Sequence, residues 1–385
     1  MTPVITGLEQ ALRNPPRALT GRRLGLLTNP SGIDRAMRST IDLFHSHPKL
    51  DLLALYGPEH GVRGEAQAGE HIAGGRDLRT GLPVHSLYSE TRVPTPDMLQ
   101  GIDALVIDLQ DIGVRYATYL STVAHVLTAS DAHGVEVVVL DRPNPLGGAY
   151  IAGNVLDPAF ASFVGIHTIP ICHGLTIGEF ARLWCRDHDL SPPVVIPMSG
   201  WSRTMTYDAT GLPWVFPSPN LPTLDSVTIY PATCPIEGTT LSEGRGTTRP
   251  FEIVGAPWID PHELADRVAS LDIPGIAARP LYFTPTFSKH AGTRCGGVQF
   301  VITDRSAFDS VRFGVLLIRL LHDIDREQFG WIQSGSDRSF IDLLYGTDQV
   351  RRAIEHGADL NDIAERWRDE VQTFADRRSA VLLYD

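Results

Sequence analysis

Short apolar runs alternate with segments of helical periodicity along the first part of the chain. The apolar runs contain few polar residues, which is typical of strands buried on both faces of a sheet. The segments between them carry apolar residues at helical spacing, and one ends at Gly134, a common helix terminator. The pattern predicts strands at Leu24–Thr28, Leu50–Tyr56, Ala104–Ile107 and Val135–Leu140, and helices at Ser39–His47 and Thr118–His133.

The pattern then becomes less regular and ends in a second group of elements. Thr176 and Glu179 have the spacing of a capping box, so we expect a helix at Leu175–Arg186, followed by a strand at Val194–Met198. The proline-rich stretch Trp214–Thr223 is either a sugar-stacking platform or a packed connection, since aromatic rings serve both purposes. The last part predicts helices at Pro261–Leu271, Ala307–His322, Asp348–His356 and Leu360–Phe374, and strands at Leu281–Phe283 and Val298–Ile302.

Alternating strands and helices favour an α/β fold with a parallel sheet covered on both faces. A chain of 385 residues exceeds one typical core, so we expect two domains. We place the larger, carrying the parallel sheet, at 1–235 and the smaller α/β domain at 236–385.

Polar residues follow each predicted strand of the first domain. Because ligand crevices of parallel sheets lie beyond the carboxyl ends of the strands, these residues are expected to share one rim. Each also has a plain structural interpretation, since aspartates cap helices and asparagines beside prolines form turns. The expected rim residues are Asn29, Glu59, His60, Asp108, Gln110, Asp111, Asp141, Arg142 and Asn144.

The densest loop is Gly57–Glu65, which holds two carboxylates, a histidine and an arginine in nine positions. A second cluster, Glu237–Phe251, combines two carboxylates and two arginines with three glycines. Glycines permit close backbone approach to a ligand, and arginines hold carboxylates in bidentate fashion. The alternative for the second cluster is a flexible linker, because it lies near the expected domain boundary.

Composition removes several classes of function. A net charge of −12 argues against nucleic acid as a partner, and no run is long enough to span a bilayer. The four cysteines form no C-x-x-C pair, and the motifs of serine hydrolases, P-loop NTPases, ordinary dehydrogenases and zincins are absent. Only two lysines occur, Lys49 and Lys289, and neither lies in a Schiff-base or phosphate-binding motif. The first residues show no signal-peptide pattern, so the expected location is cytoplasmic.

Abundant carboxylates are the remaining chemical equipment. Paired carboxylates that flank a cleft are used for glycoside hydrolysis, where one protonates the leaving oxygen and the other attacks the sugar or activates water. A metal-dependent hydrolase that uses His60, His173, Asp108 and Asp111 stays open as an alternative, as does a non-catalytic binding protein for amino sugars. The primary interpretation requires no cofactor and no metal.

Seven sequence blocks resemble the exo-β-N-acetylmuramidases of peptidoglycan turnover, and the match spans roughly Leu24 to Leu344. The resemblance implies a Rossmann-like first domain, a smaller second domain and an active cleft between them. It also implies release of N-acetylmuramic acid (MurNAc) from non-reducing ends, with MurNAc-containing disaccharides or short glycans as partners, and leaves oligomeric state open. The blocks are LLTNPSGIDR, GPEHGVRGEAQAGE, DLQDIGVRYATYLST, LDRPNPLGG, GLPWVFPSPNLPTLD, EGTTLSEGRGTTRPFE and FTPTFSKHAGTRCGGVQ.

The implied substrate assigns expected roles. Glu59 is the expected general acid, because a partly apolar cleft would raise its pKa. Glu243 is preferred over Glu65 and Glu237 as the second carboxylate, and His60 is expected to orient Glu59 or bind a hydroxyl. A substrate-assisted route through the acetamido oxygen, polarised by Asp108 or Asp111, stays open. The lactyl carboxylate of MurNAc needs a fixed cation, and the candidates are Arg63, Arg115, Arg245 and Arg249. The remaining candidates for substrate contacts are Asn29, Gln110, Asp141, Asn144 and His290.

Overall fold

The structure is a computed structural model that describes residues 3–64, 66–67, 69–70, 74–335, 338–358 and 360–385. The strands in chain order are β1 (Arg23–Thr28), β2 (Asp51–Gly57), β3 (Gly75–Arg76), β4 (Pro83–Ser86), β5 (Ala104–Asp108), β6 (Glu136–Leu140), β7 (Ala152–Val155), β8 (Pro170–Cys172), β9 (Val194–Ile196), β10 (Ile253–Ala256), β11 (Ile276–Phe283), β12 (Cys295–Ile302), β13 (Gln333–Ser334) and β14 (Arg338–Ser339). The α-helices are α1 (Gly7–Arg13), α2 (Thr40–Ser46), α3 (Pro96–Leu99), α4 (Tyr119–Ala132), α5 (Ile177–Asp187), α6 (Leu224–Thr233), α7 (Pro261–Ala269), α8 (Ser310–Ile324), α9 (Phe340–Tyr345), α10 (Gln349–Glu355) and α11 (Leu360–Arg378). Short 3₁₀ helices lie at Pro158–Phe160, Tyr207–Thr210, Cys234–Gly238 and Ser379–Val381.

The main sheet is Rossmann-like and mostly parallel, with strand order β3-β4-β2-β1-β5-β6-β9. Strands β4, β2, β1, β5, β6 and β9 pair in parallel, and the short β3 pairs antiparallel with β4. In register, Leu26 of β1 lies between Leu55 of β2 and Val106 of β5, and all three are fully buried. Five predicted strands are confirmed in this sheet; the bounds of four shift by no more than one residue, and β9 ends at Ile196 rather than Met198.

Helices cover both faces of this sheet because neighbouring strand residues point to opposite sides. Leu26 packs in a cluster with α1 and α2, whereas Leu27 packs in a cluster with α4 and α5. The predicted capping box of α5 is present, with Thr176 and Glu179 each accepting from the other's backbone N–H. The first part of the chain is therefore an α/β sandwich, as the hydrophobic pattern predicts.

The second unit is built on a smaller antiparallel sheet of order β10-β12-β11. Strand β11 is longer than predicted and starts at Ile276, because alternate half-buried and exposed residues extend it. Helix α8 starts at Ser310 rather than Ala307, since the side chain of Asp309 caps it. In the described parts of the chain, no helix is long and apolar enough to cross a membrane.

Helix α6 was not predicted from the sequence, because Pro231 interrupts its pattern. The proline lies near its carboxyl end, and the 3₁₀ helix Cys234–Gly238 follows at once. Although α6 precedes the predicted domain boundary, its apolar residues share a core with α8 and β12. The division at residues 235 and 236 itself stays a prediction.

Candidate active site

A cavity of about 530 Å³ lies where the loops after β2 and β5 face the segments that follow α6. Its inner wall consists of buried residues such as Tyr116, Tyr230 and Glu243, whereas Gly69 and Phe287 are exposed at the mouth. Polar and aromatic side chains dominate the lining, among them Glu59, His60, Tyr88, Thr118, Tyr119, Asn220, Glu237, Arg245, Phe251 and Lys289. Both predicted clusters, Gly57–Glu65 and Glu237–Phe251, thus contribute to one cavity.

Glu59 lies half-buried in the lining, just after strand β2. Its carboxylate accepts hydrogen bonds from Thr118 Oγ1 at 2.7 Å and from the Gly69 N–H at 3.2 Å. The Tyr88 hydroxyl is a third partner, and burial together with the Glu59 charge raises the pKa of Tyr88. The Glu59 carboxylate thus lies among hydroxyl and amide donors in a cavity whose lining is partly apolar.

His60 lies beside Glu59 with a backbone φ of 74°, a conformation that is uncommon for residues other than glycine. The residue is 4% exposed, and Nδ1 lies 3.1 Å from the Ala66 carbonyl oxygen. Burial lowers the pKa of His60, although the Glu59 charge opposes the shift. The imidazole is therefore neutral near pH 7 and suits hydrogen bonding better than ion pairing.

Two carboxylates and two cations form a second part of the cavity lining. Arg245 bridges the carboxylates, with Nε 2.7 Å from Glu237 Oε1 and 3.4 Å from Glu243 Oε1. Lys289 Nζ lies 2.8 Å from Glu243 Oε2 and donates to the carbonyls of Ile236 and Thr239 at 3.0 Å each.

The environment of these charged side chains shifts the pKa values of Glu237 and Arg245. Burial raises the pKa of Glu237, while Arg245 opposes the shift and Glu243 adds to it. Buried carboxylates raise the pKa of Arg245 further above its ordinary value despite desolvation. Glu243 is only 1% exposed, and Arg245 and Lys289 are its ion-pair partners.

Aromatic rings contribute a third part of the cavity lining. Tyr230 contacts Tyr116 at 5.6 Å and Phe251 at 4.7 Å between ring centroids, and Arg245 lies 5.0 Å above the Phe251 ring. The Tyr116 hydroxyl donates to the Pro231 carbonyl at 2.6 Å, which fixes the ring to the end of α6. Such rings present apolar faces that can stack on a sugar while their polar ends stay bonded.

Several expected rim residues lie outside the cavity, because they bind each other. Asp108 accepts from Arg142 Nε at 2.5 Å and Nη2 at 2.9 Å, and both residues are buried. Asp141 accepts from Thr176, Tyr384 and the Gly178 N–H, and burial raises its pKa to about 6. These aspartates tie together the ends of strands and helices and do not line the cavity.

The other polar residues near these strand ends also form hydrogen bonds with backbone groups. Gln110 Nε2 donates to the carbonyls of Asp111 and Pro143, and Asp111 accepts from the Gly113 N–H at 2.7 Å. The Asn29 side chain accepts from the Ser31 N–H at 3.1 Å, and Asn144 Nδ2 donates to the Leu175 carbonyl at 3.0 Å. None of the four expected residues, Asn29, Gln110, Asp111 and Asn144, lines the cavity in the described structure.

Three expected cation sites are occupied by other partners. Arg63 pairs with Asp77 and Asp42, and Arg249 pairs with Glu252 at 3.1 Å. Arg115 is fully buried and donates to four backbone carbonyls, and burial lowers its pKa to about 10. His290 lies 2.8 Å from the Thr240 carbonyl and is likewise absent from the lining, so Arg245 is the expected arginine that reaches the cavity.

Some lining residues were not anticipated from the sequence. Lys289 was set aside because it has no lysine motif, yet it lies in a block that carries the family resemblance. Tyr88 and Thr118 gave no signal, since their part is to hold Glu59. In the proline-rich stretch, Ser218, Asn220 and Leu221 line the cavity, whereas Trp214 packs on Tyr207 instead. Glu65, an expected catalytic candidate, lies outside the described residues.

A metal centre would need at least three His, Cys, Asp or Glu side chains close together. The described parts of the chain contain no such group. His173, one of the proposed metal ligands, lies 3.5 Å from Asp111 and is fully buried. The cavity instead offers three carboxylates with two cations, a set suited to proton transfer and to binding a charged sugar.

Comparison with known proteins agrees with this chemistry. Residues 24–225 match the family model described as exo-beta-N-acetylmuramidase NamZ, N-terminal, and residues 228–384 match its C-terminal counterpart. The chain is 45% identical over 382 residues to the peptidoglycan beta-N-acetylmuramidase NamZ of Bacillus subtilis strain 168, covering 99% of this chain and 91% of that protein.

Two crystal structures of DUF1343 family proteins from Bacteroides fragilis share the fold. The first is 36% identical, with a TM-score of 0.90 and complete coverage of both chains. The second is 30% identical, with a TM-score of 0.77 and 99% coverage of each. The carboxylate-lined cavity and these similarities lead to one conclusion: the chain belongs to the exo-β-N-acetylmuramidase NamZ family and is a glycosidase.

Proposed function

We propose that this glycosidase removes the terminal MurNAc from MurNAc-containing disaccharides and short peptidoglycan fragments. The observation that carries the proposal is the meeting of Glu59, Glu237 and Glu243 with Arg245 and Lys289 in one cavity. Carboxylates on both sides of a sugar supply the proton donor and the second group that glycoside cleavage needs. The cations match the negative lactyl group that distinguishes MurNAc from other amino sugars.

Within this proposal, Glu59 donates the proton and Glu243 is the second carboxylate. Glu59 comes from the first unit, where Thr118 and Tyr88 fix its orientation, and Glu243 comes from the segment that follows α6. Lys289 and Arg245 both form ion pairs with the Glu243 carboxylate and hold it in place for the role of nucleophile or base. The raised pKa of Glu237 makes that residue the rival proton donor.

Arg245 is the proposed contact for the lactyl carboxylate. Its guanidinium already binds Glu237, yet its buried Nη1 has no hydrogen-bond partner among the described residues. Buried N–H groups without partners are rare in folded proteins, so a ligand acceptor at this atom would complete the site.

The test of the proposed function is product analysis on a MurNAc–GlcNAc disaccharide. We expect free MurNAc, identified by mass spectrometry, and at least about a hundredfold lower kcat for Glu59→Gln with disaccharide binding retained in calorimetry. Glu263→Gln on the surface of α7 is the matched control and should keep full activity. Binding without release by the native enzyme would instead identify an amino-sugar binding protein.

An activated leaving group separates Glu59 from Glu237 as the proton donor. An aryl β-N-acetylmuraminide with an acidic phenol needs little protonation, so the donor variant loses much less activity on it than on the disaccharide. We expect this pattern for Glu59→Gln and equal losses on both substrates for Glu237→Gln. The reverse pattern would transfer the donor role to Glu237.

A further inference from the structure

An arginine rests on aromatic rings beside the mouth of the cavity. Arg92 Cζ lies 4.1 Å from the centre of the Phe163 ring and 5.6 Å from the centre of the Tyr88 ring. The two rings are 5.8 Å apart, and His125 stacks on Phe163 at 6.0 Å with an interplanar angle of 11°. We call Tyr88, Arg92 and Phe163 the mouth ledge.

The ledge is continuous with the candidate active site. Tyr88 lines the cavity and contacts the Glu59 carboxylate with its hydroxyl, while its ring faces Arg92. Val164, the neighbour of Phe163, also lines the cavity. A chain of contacts therefore runs from the proposed proton donor through one tyrosine to an exposed guanidinium.

The Arg92 charge is available to a ligand. Arg92 is exposed, and no carboxylate in the described parts of the chain forms an ion pair with it. Its charge lowers the pKa of His125, in addition to the larger effect of burial on that ring. Contact with the two rings restrains the guanidinium, which reduces the conformational entropy lost when it binds a carboxylate.

The direction of the cavity indicates which part of the substrate meets the ledge. The inner wall is buried and the mouth is open, so a glycan with its terminal sugar at the inner end would extend out through the mouth. The sugar that follows the cleaved bond is GlcNAc, which has no carboxylate. The first carboxylate beyond the bond belongs to the next MurNAc, one sugar farther out.

We propose that the mouth ledge is a leaving-group subsite in which Arg92 binds the lactyl carboxylate of the second MurNAc. This inference rests on the proposed function and adds a preference for chain length. In this arrangement the leaving GlcNAc lies between Glu59 and Arg92. The Tyr88 side chain, which contacts both residues, spans the same distance.

The test compares substrates that do and do not reach the ledge. We expect Arg92→Ala to lower kcat/KM about tenfold or more on the tetrasaccharide MurNAc–GlcNAc–MurNAc–GlcNAc, as loss of a charged hydrogen bond predicts. On the disaccharide, the kcat/KM of Arg92→Ala should stay within about twofold of the native value, because the disaccharide does not reach Arg92. A tetrasaccharide with its inner lactyl group converted to the methylamide should make native and variant enzymes equal.

The matched control is a second arginine that lies over an aromatic ring away from the cavity. Arg294 lies 4.1 Å from the centre of the Tyr282 ring and does not line the cavity, so Arg294→Ala should leave all three substrates unaffected. Equal losses on disaccharide and tetrasaccharide, or an unchanged tetrasaccharide rate, would overturn the ledge as a carboxylate subsite. Failure of the native enzyme to release MurNAc from any of these substrates would instead reject the proposed function.

Discussion

Lys289 shows how a single side chain sets the charge of the site. Its ammonium lies 2.8 Å from a buried carboxylate, Glu243, and is anchored by the carbonyls of Ile236 and Thr239. Removing one partner of a buried charge pair leaves the other charge uncompensated, which is costly. The lysine is therefore expected to matter for activity even though it breaks no bond itself.

We predict that Lys289→Gln lowers kcat/KM for the disaccharide at least about tenfold, because Glu243 loses one of its two cations. Steady-state kinetics of MurNAc release checks this, with Lys289→Arg expected to retain more activity than Lys289→Gln. Lys49 is the other lysine of the chain and is exposed on the surface, which makes Lys49→Gln the matched control. Equal rates for the two glutamine variants would remove Lys289 from the mechanism.

At the scale of elements, the contact between α6 and α8 positions one wall of the cavity. Gly314 of α8 faces the backbone of α6, where a Cβ would lie 2.7 Å from Ala232 Cα and 2.8 Å from the Ala232 carbonyl oxygen. Tyr230, on the same helix, and Glu237, in the 3₁₀ turn that follows, both line the cavity. A change in the distance between α6 and α8 would therefore move residues that line the cavity.

We predict that Gly314→Ala destabilises the fold by about 1–3 kcal/mol, because the added methyl pushes the helix backbones apart. Denaturant unfolding measures the loss, and kcat should fall with it as Tyr230 and Glu237 move. Arg312→Ala changes an exposed residue two positions earlier on α8 and should change neither quantity appreciably. A fully stable and active Gly314→Ala enzyme would show that α6 tolerates displacement.

Elements with strong local patterns could be predicted from the sequence, and those set by tertiary packing could not. Strand β5 and the cap of α5 depend on local runs and local hydrogen bonds, so their residues identify them. Helix α6 contains Pro231 and is stabilised by packing on α8, which no local pattern reveals. The same limit applied to Tyr88, whose contact with Glu59 joins two separate loops.

At the scale of the whole molecule, the site depends on how the two units meet. Strand-end topology predicted that the polar residues share a single rim. Asp108 instead binds Arg142, Asp141 binds Thr176, and neither aspartate lines the cavity. The sequence shows which residues follow a strand but does not show which of them satisfy each other. Glu59 and Glu243 come together because segments 184 residues apart face the same cavity, a placement that the family resemblance implies and local pattern does not.

Arg115 is the clearest connection between the two parts of the chain. Its Nη1 donates to the carbonyls of Asn154 and Ile169, and its Nη2 donates to those of Leu344 and Tyr345. Leu344 in turn lines the cavity. An arginine expected to bind substrate therefore lies among backbone oxygens, where it joins β7 and the segment before β8 to α9.

We predict that Arg115→Met lowers the free energy of unfolding by about 3–5 kcal/mol, because four buried carbonyls lose their donor. Thermal and denaturant unfolding measure this loss, and exposed Arg13→Met, at the end of α1, serves as the control. If Arg115 instead bound the substrate carboxylate, Arg115→Met would raise the Kd for the disaccharide while leaving stability close to native. The two outcomes separate a structural junction from a binding residue, and the burial of the guanidinium among four carbonyls favours the junction.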